Sequence, residues 1–172
     1  MTRALLGAAM LPLVAAAAPV PSSPDLGKAE ARCRPNESGP AFLVDVKGLK
    51  DRQGRLKVEV YPANDDDFLA DDNVLINAGK TFRRVEIDVP SDPVPRICVR
   101  LPAAGTYAVS VLHDRDSNRK FSWRTDGIGF SGNPRLGLSK PKSSKASASA
   151  GTRPTNIDVV MNYQRGLGMR PL

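Results

Sequence analysis

Apolar and polar residues alternate along most of the chain after residue 40, with the period of two that is typical of half-buried β-strands. No segment sustains the 3.6-residue period of a long helix. The alternation predicts six or seven short strands at 41–49, 55–61, 74–76, 82–89, 96–101, 105–112 and 155–163. Half-buried strands must stack their apolar faces on one another, so we predict an all-β fold, a single antiparallel β-sandwich.

A length of 172 residues predicts one domain, and the segments between the strands are consistent with this. A short polar turn at 51–54 predicts that the first two strands form a hairpin. Residues rich in Lys, Ser and Ala at 139–155 predict a mobile loop, because they offer little to bury. The predicted organisation is a signal peptide at 1–18, a flexible segment at 19–40, the sandwich at 41–164 and a disordered tail at 165–172.

The first 18 residues contain a basic Arg3, an apolar run at 4–14 and a stretch of alanines. This is the pattern of a secretory signal peptide, and the run is shorter than the ~20 residues of a membrane-spanning helix. We therefore predict a periplasmic or secreted protein without a transmembrane segment. An exported chain with two cysteines is most simply interpreted as having one disulfide, between Cys33 and Cys98.

Positive charge is concentrated in the C-terminal third of a chain whose formal net charge is +7. A basic region of this kind attracts anionic glycans, lipopolysaccharide or lipid headgroups. The alternative is that it forms a soluble, flexible face without a partner. Interleaved aromatic residues for base stacking are missing, so we expect no nucleic-acid partner. The basic residues are Arg135, Lys140, Lys142, Lys145, Arg153, Arg165 and Arg170.

The densest cluster of polar side chains follows the clearest strand. Asp114, Asp116 and Asn118 occupy alternate positions, as the first three ligands of a calcium-binding loop do, and Asp126 could complete such a site. The glycine and the closing glutamate of that loop type are replaced by Arg119 and Thr125. Bound calcium is therefore one interpretation. The favoured alternative needs no cofactor and has these side chains accept hydrogen bonds from loop amides.

His113, the single histidine of the chain, precedes this cluster. It could act as a general base with Asp114, helped by Asp126, in a hydrolase. The chain lacks the G-x-S-x-G serine motif, and a structural histidine bonded across the strand end is the favoured interpretation. Trp123 and Phe121 either pack over the end of the sandwich or form a stacking platform for a sugar.

Three stretches give the chain a resemblance to a known family: YAVSVLHDRDSNRKF, DGIGFSGNPRLGLSKP and the terminal VVMNY. Together they resemble domain-of-unknown-function family 2141, a group of exported bacterial proteins, over residues 41–163. Arg119 and Ser122 stand where family members commonly carry glycine and aspartate. The strand before the Asp-rich turn is also similar to transthyretin-like and collagen-adhesin B-type modules, and the resemblance implies a transthyretin-like or immunoglobulin-like sandwich. It implies no activity.

We therefore expect an exported, noncatalytic β-sandwich that is a monomer and binds a small ligand or a cell-envelope partner through the loop at 113–134. The candidate ligand-binding residues are His113, Asp114, Asp116, Asn118, Trp123 and Asp126, and the candidate calcium ligands are Asp114, Asp116, Asn118 and Asp126. A hydrolase that uses His113 and Asp114, and polyanion binding by the basic C-terminal part, are the two alternatives.

Overall fold

The computed structural model describes residues 18–172, so the predicted signal peptide lies almost wholly outside the described residues. The described chain forms ten strands, two short helices and one 3-10 turn, which confirms the all-β class. The strands are β1 Ala41–Lys47, β2 Arg55–Pro62, β3 Arg83–Asp88, β4 Arg96–Arg100, β5 Gly105–Asp114, β6 Gly127–Phe130, β7 Ser147–Ala150, β8 Thr155–Val160, β9 Tyr163–Arg165 and β10 Gly168–Arg170. The helices are α1 Lys28–Ala31 and α2 Asp72–Asn77, and the 3-10 turn is Ser143–Lys145.

Most strands belong to two sheets. In the smaller sheet, β1 lies between β4, which is antiparallel to it, and β8, which is parallel to it. The larger sheet has the order β3-β2-β5-β6, and β7 pairs with the first half of β5 while β6 pairs with the second half. A small hairpin of β9 and β10 follows β8. The parallel β1–β8 pair is the exception to the predicted antiparallel arrangement.

Side chains from both sheets share one apolar core. Val44 and Val46 of β1 meet Val58 of β2 and Val109 and Val111 of β5, all of them fully buried. These positions alternate with outward-facing residues along each strand, as the pleat of a strand requires. The period-two pattern of the sequence therefore identified the side chains that stack between the sheets.

The larger sheet has a second apolar cluster on its other face. Tyr61 of β2 and Phe130 of β6 project from this face. Phe68, Phe82 and Leu75 of α2 pack in the same cluster. As a result, β5 is buried along its last eight residues, on both faces. The prediction of an edge strand at 74–76 was wrong, because a three-residue apolar run does not distinguish a strand from a helical turn whose Leu75 points inward.

The predicted hairpin of the first two strands was also wrong. β1 and β2 lie in different sheets, and residues 48–54 carry the chain from one sheet to the other. Gly54 makes this crossing possible, because its φ of 73° is a left-handed conformation and an added β-carbon would collide with the backbone of Asp114 and Arg115. The same crossing places residues 51–53 beside the end of β5.

Three segments expected to lack regular structure contain short elements. The 139–155 segment holds the 3-10 turn and β7, the 165–172 tail holds β10, and the 19–40 segment holds α1. The low-complexity composition hid β7, since Ala and Ser have weak strand propensity but still pair with β5. The predicted disulfide between Cys33 and Cys98 is confirmed and joins the N-terminal segment to β4. Within residues 18–172, no helix has the length and apolar character needed to cross a membrane.

Candidate functional site

His113 lies at the end of β5 and is fully buried. Its Nε2 lies 2.8 Å from the carbonyl oxygen of Gln53, and its Nδ1 lies 2.6 Å from the hydroxyl of Tyr163. A carbonyl oxygen can only accept, so Nε2 carries the proton and Nδ1 accepts the hydroxyl proton of Tyr163. Burial lowers the pKa of His113, which favours the neutral ring at pH 7. Both ring nitrogens are occupied by contacts within the protein.

Tyr163, at the start of β9, connects this end of β5 to the crossing segment. Its hydroxyl also accepts a hydrogen bond from the amide of Lys50 at 3.1 Å, and burial raises its pKa to about 12. The ring lies against Gly127, where an added β-carbon would fall 2.4 Å from a ring carbon. Glycine at position 127 is therefore required for the ring to reach His113.

Arg115 lies beside His113 and joins the crossing segment to the loop that follows β5. Its Nε donates to Asp51 Oδ2 at 2.9 Å, and another guanidinium nitrogen donates to the carbonyl of Thr125 at 2.8 Å. The hydrogen bond from Arg115 lowers the pKa of Asp51, whose Oδ1 lies 3.8 Å from His113 Nε2. Arg115, Asp51 and Tyr163 were not predicted as site residues. Arg115 and Tyr163 lie within the quoted motifs, but 64 residues separate Arg115 from Asp51 and 50 separate His113 from Tyr163, so their contacts could not be read from spacing.

The loop between β5 and β6 is held by three aspartates whose oxygens accept backbone amides. Asp114 accepts the amides of Asn118 at 3.1 Å and Arg119 at 2.7 Å. Asp126 accepts the amides of Arg115 at 3.0 Å and Ser122 at 2.8 Å. These are the hydrogen bonds expected if the aspartates accept loop amides, which was the favoured alternative to bound calcium.

Asp116 and Asn118 complete the loop on its exposed side. One oxygen of Asp116 accepts the amide of Asn118 at 3.2 Å, and its other oxygen accepts the side-chain nitrogen of Asn118 at 2.8 Å. The side-chain oxygen of Asn118 accepts the amide of Lys120 at 2.7 Å. Arg119 has a φ of 67°, so the backbone adopts the left-handed conformation that glycine favours at this position.

The same aspartates also converge. One carboxylate oxygen from each of Asp114, Asp116 and Asp126 lies within 4.8 Å of the others, while Asp114 and Asp126 are buried. Burial raises the pKa of the Asp114 carboxyl, and Asp116 and Asp126 raise it further. A hard cation would offset this repulsion, and the oxygen donor set suits calcium. The structure therefore brings together three of the four predicted calcium ligands, whereas the oxygen of Asn118 is bonded to the backbone.

Phe121 and Trp123, from the same loop, line an apolar cavity of about 230 Å³ beside the second apolar cluster. Phe121 is 43% exposed. The cavity adjoins a larger one of about 530 Å³ between residues 133–138 and the β9–β10 hairpin. Both cavities share Leu136, Gly137, Leu138 and Met169. Trp123 was a predicted site residue, but its partners were not predicted: most of them lie in residues 128–141, and Leu69 and Met169 come from distant segments.

We call this end of the molecule the rim: residues 113–134 with the two cavities beside them. A family model with the description "Uncharacterized protein conserved in bacteria (DUF2141)" matches residues 44–158, which include His113, all three aspartates and both loop aromatics. No curated protein and no solved structure gave a significant match to the chain.

Proposed function

The chain belongs to the DUF2141 family of bacterial proteins, and we propose that it is an exported, noncatalytic β-protein that binds a ligand or an envelope partner at the rim. The observation that carries the proposal is the apolar cavity lined by Phe121 and Trp123. Concave apolar surface with a few polar groups at its edge is the usual form of a ligand site. The exposed part of Phe121 is apolar area that a partner would cover.

The contacts of His113 support a noncatalytic role. A general base must reach the proton that it abstracts, but His113 is fully buried and both of its nitrogens are hydrogen-bonded within the protein. The hydrolase alternative would need β5, β9 and the crossing segment to separate first. Binding at the rim needs no such opening.

The disulfide between Cys33 and Cys98 supports export, because disulfides persist mainly in oxidising compartments. Expression of the full chain in a bacterium is expected to give a mature periplasmic or secreted form without free thiols. Mass spectrometry after alkylation under denaturing conditions would show this. Recovery of an unprocessed cytoplasmic chain with two alkylated cysteines would contradict export.

Binding at the rim can be followed through Trp123, which is the only tryptophan of the chain. The probe is anilinonaphthalene sulfonate, whose fluorescence rises in apolar surroundings. We expect saturable binding of the probe with energy transfer from Trp123. Phe121→Ser is expected to weaken binding by about tenfold, since it removes apolar contact area.

The matched control is Val94→Ser, which removes an exposed valine from the turn between β3 and β4. This variant is expected to bind the probe like the original chain. Equal affinity of Phe121→Ser and Val94→Ser, with unchanged unfolding curves, would show that the rim is not the binding site.

Calcium at the aspartate cluster is the second candidate function, and the convergence of Asp114, Asp116 and Asp126 supports it. A ligand that binds only the folded state raises its stability, by about 2.7 kcal/mol at a concentration of ~100 times Kd. Melting temperatures in calcium and in chelator should then differ for the original chain and not for Asp116→Asn. The control is Asp92→Asn, which changes an exposed aspartate in the turn before β4. Identical melting in calcium and chelator would leave only the amide-capping role.

A further inference from the structure

The larger rim cavity is bordered by two leucines that protrude from the protein. Leu138 is 91% exposed and Leu167 is 96% exposed, although both line the same cavity. Leu138 belongs to the segment between β6 and the 3-10 turn, and Leu167 is at the tip of the β9–β10 hairpin. Exposed leucines that stand together form apolar surface without an intramolecular partner, and such patches mark interaction sites.

The charge around these leucines is positive. Arg135 and Arg170 line the larger cavity and Lys140 lines the smaller one, and within residues 18–172 no acidic side chain lines either cavity. Neither arginine forms an ion pair with another residue of the described chain, and both are exposed. A complementary partner therefore carries negative charge close to apolar groups.

We propose that this leucine–arginine surface, formed by Leu138, Leu167, Arg135 and Arg170, docks onto a lipid bilayer that contains anionic headgroups. The inference rests on the proposed binding role of the rim and names the partner. The leucines enter the boundary between headgroups and acyl chains, and the arginines contact phosphates. Basic residues beside apolar side chains are the combination that binds anionic membrane surfaces.

The protrusion of the leucines favours a bilayer over a single bound lipid. A lipid held inside the protein would need the leucines to line an enclosed wall, whereas both side chains are more than nine-tenths exposed. A bilayer accepts protruding side chains without any change in the protein. Both leucines border the same cavity although they come from separate segments, so both can reach the same surface.

The test is sedimentation of the mature chain with large vesicles of phosphatidylcholine alone, or of phosphatidylcholine with an equimolar amount of phosphatidylglycerol. We expect binding to the anionic vesicles, weakened by added salt, with a blue shift of Trp123 emission. Leu138→Ser with Leu167→Ser is expected to reduce the partition coefficient by about a hundredfold. Arg135→Gln with Arg170→Gln is expected to reduce it by about twentyfold to thirtyfold, at ~1 kcal/mol for each arginine.

Two matched control variants show whether binding depends on where the residues lie or only on their type. Val94→Ser removes an apolar side chain and Arg153→Gln removes a basic one, both exposed and outside the leucine–arginine surface. Each control is expected to bind like the original chain. Equal binding to neutral vesicles, or an unchanged partition of the double leucine variant, would overturn the proposal.

Two further outcomes would also overturn it. A concentration-dependent dimer that the double leucine variant abolishes would assign the surface to a second copy of the chain. Binding of soluble anionic glycan without vesicle binding would assign the arginines to a polyanion. If vesicles do not bind but anilinonaphthalene sulfonate still binds in a Phe121-dependent way, the rim keeps its proposed function and only the bilayer inference fails.

Discussion

His113 stabilises the end of β5 because both ring nitrogens find partners that the chain supplies from far away in sequence. Gln53 is 60 residues distant and Tyr163 is 50 residues distant. A buried polar group without such partners would cost about 1–3 kcal/mol. A structural role across the strand end was favoured from the sequence, but the identity of the partners depended on the path of the crossing segment.

The stability of the protein depends on pH through His113. Since burial lowers the folded-state pKa of His113 below its unfolded value of about 6.5, the unfolded chain binds a proton first as pH falls. Stability is therefore fully present above the unfolded pKa and is lost as pH falls below it, by up to about 1.4 kcal/mol per pH unit. Urea unfolding between neutral and mildly acidic pH measures the slope.

The raised pKa of Asp114 acts in the opposite direction, since its folded form takes up a proton more readily than its unfolded form. The Asp114→Asn variant separates the two contributions, and its stability should fall more steeply with acidification than that of the original chain. His113→Gln should lose the slope. A slope that survives in His113→Gln would show that another group is responsible.

Gly127 lies directly against the ring of Tyr163, where there is no room for a side chain. In Gly127→Ala the new methyl group overlaps the ring of Tyr163, so the ring must move away from His113. We expect a loss of about 1–3 kcal/mol in the free energy of unfolding, as for other overpacked sites. Gly137→Ala is the control, because a β-carbon there meets no atom within 4 Å. Equal stability of the two variants would contradict the contact.

Among the elements, a cluster of charged side chains on the larger sheet joins β3 and β2 to the helix α2. Arg84 of β3 donates to Glu59 of β2 at 2.8 Å and to Asp72 of α2 at 3.1 Å, and all three side chains are nearly buried. The cluster fixes α2 over the second apolar face. The alternation of β3 predicted that Arg84 points away from the main core, but the helix that covers it was not predicted.

We predict that Arg84→Met destabilises the protein by about 3–5 kcal/mol, because the buried Asp72 would lose its cation and Glu59 would keep only Lys57, at 3.4 Å. Guanidinium unfolding measures the loss. The double variant Arg84→Met with Glu59→Gln should recover part of it, since one uncompensated charge is removed. The control is Arg96→Met. The Arg96 side chain is 56% exposed in its pair with Asp45, so its loss should cost less than about 1 kcal/mol. Equal losses for Arg84→Met and Arg96→Met would contradict the role of burial.

At the scale of the whole molecule, the disulfide is the covalent link between the N-terminal segment and the smaller sheet. It joins positions 65 residues apart. Closing a loop of this length lowers the entropy of the unfolded chain and stabilises the fold by about 4 kcal/mol. The same N-terminal segment also meets the larger sheet, because the carbonyl oxygen of Gly27 accepts the amide of Arg84 in β3 at 3.2 Å.

The prediction at this scale is that Cys33→Ser with Cys98→Ser remains all-β but melts at a lower temperature, with about 4 kcal/mol less stability. Calorimetry measures the melting temperature, and far-ultraviolet circular dichroism shows whether the fold is still all-β. Chemical reduction of the original chain should produce the same loss. An unchanged melting temperature after complete reduction would show that packing alone holds the N-terminal segment.

The sequence by itself determined the all-β class, the disulfide pair and the membership of the family, because strand alternation, cysteine count and motif spacing are local properties. The tertiary structure decided which strands pair, that β1 and β8 are parallel, that His113 meets Tyr163, and that Trp123 lies beside the cavity next to Leu138. Several of these outcomes depend on contacts between residues that are far apart in the sequence: Val44 pairs with Ile157 in β8, and His113 meets Tyr163, which is 50 residues away. Alternation identifies which face of a strand is buried, but the same alternating face can pack against several partners, and only the packed molecule selects one.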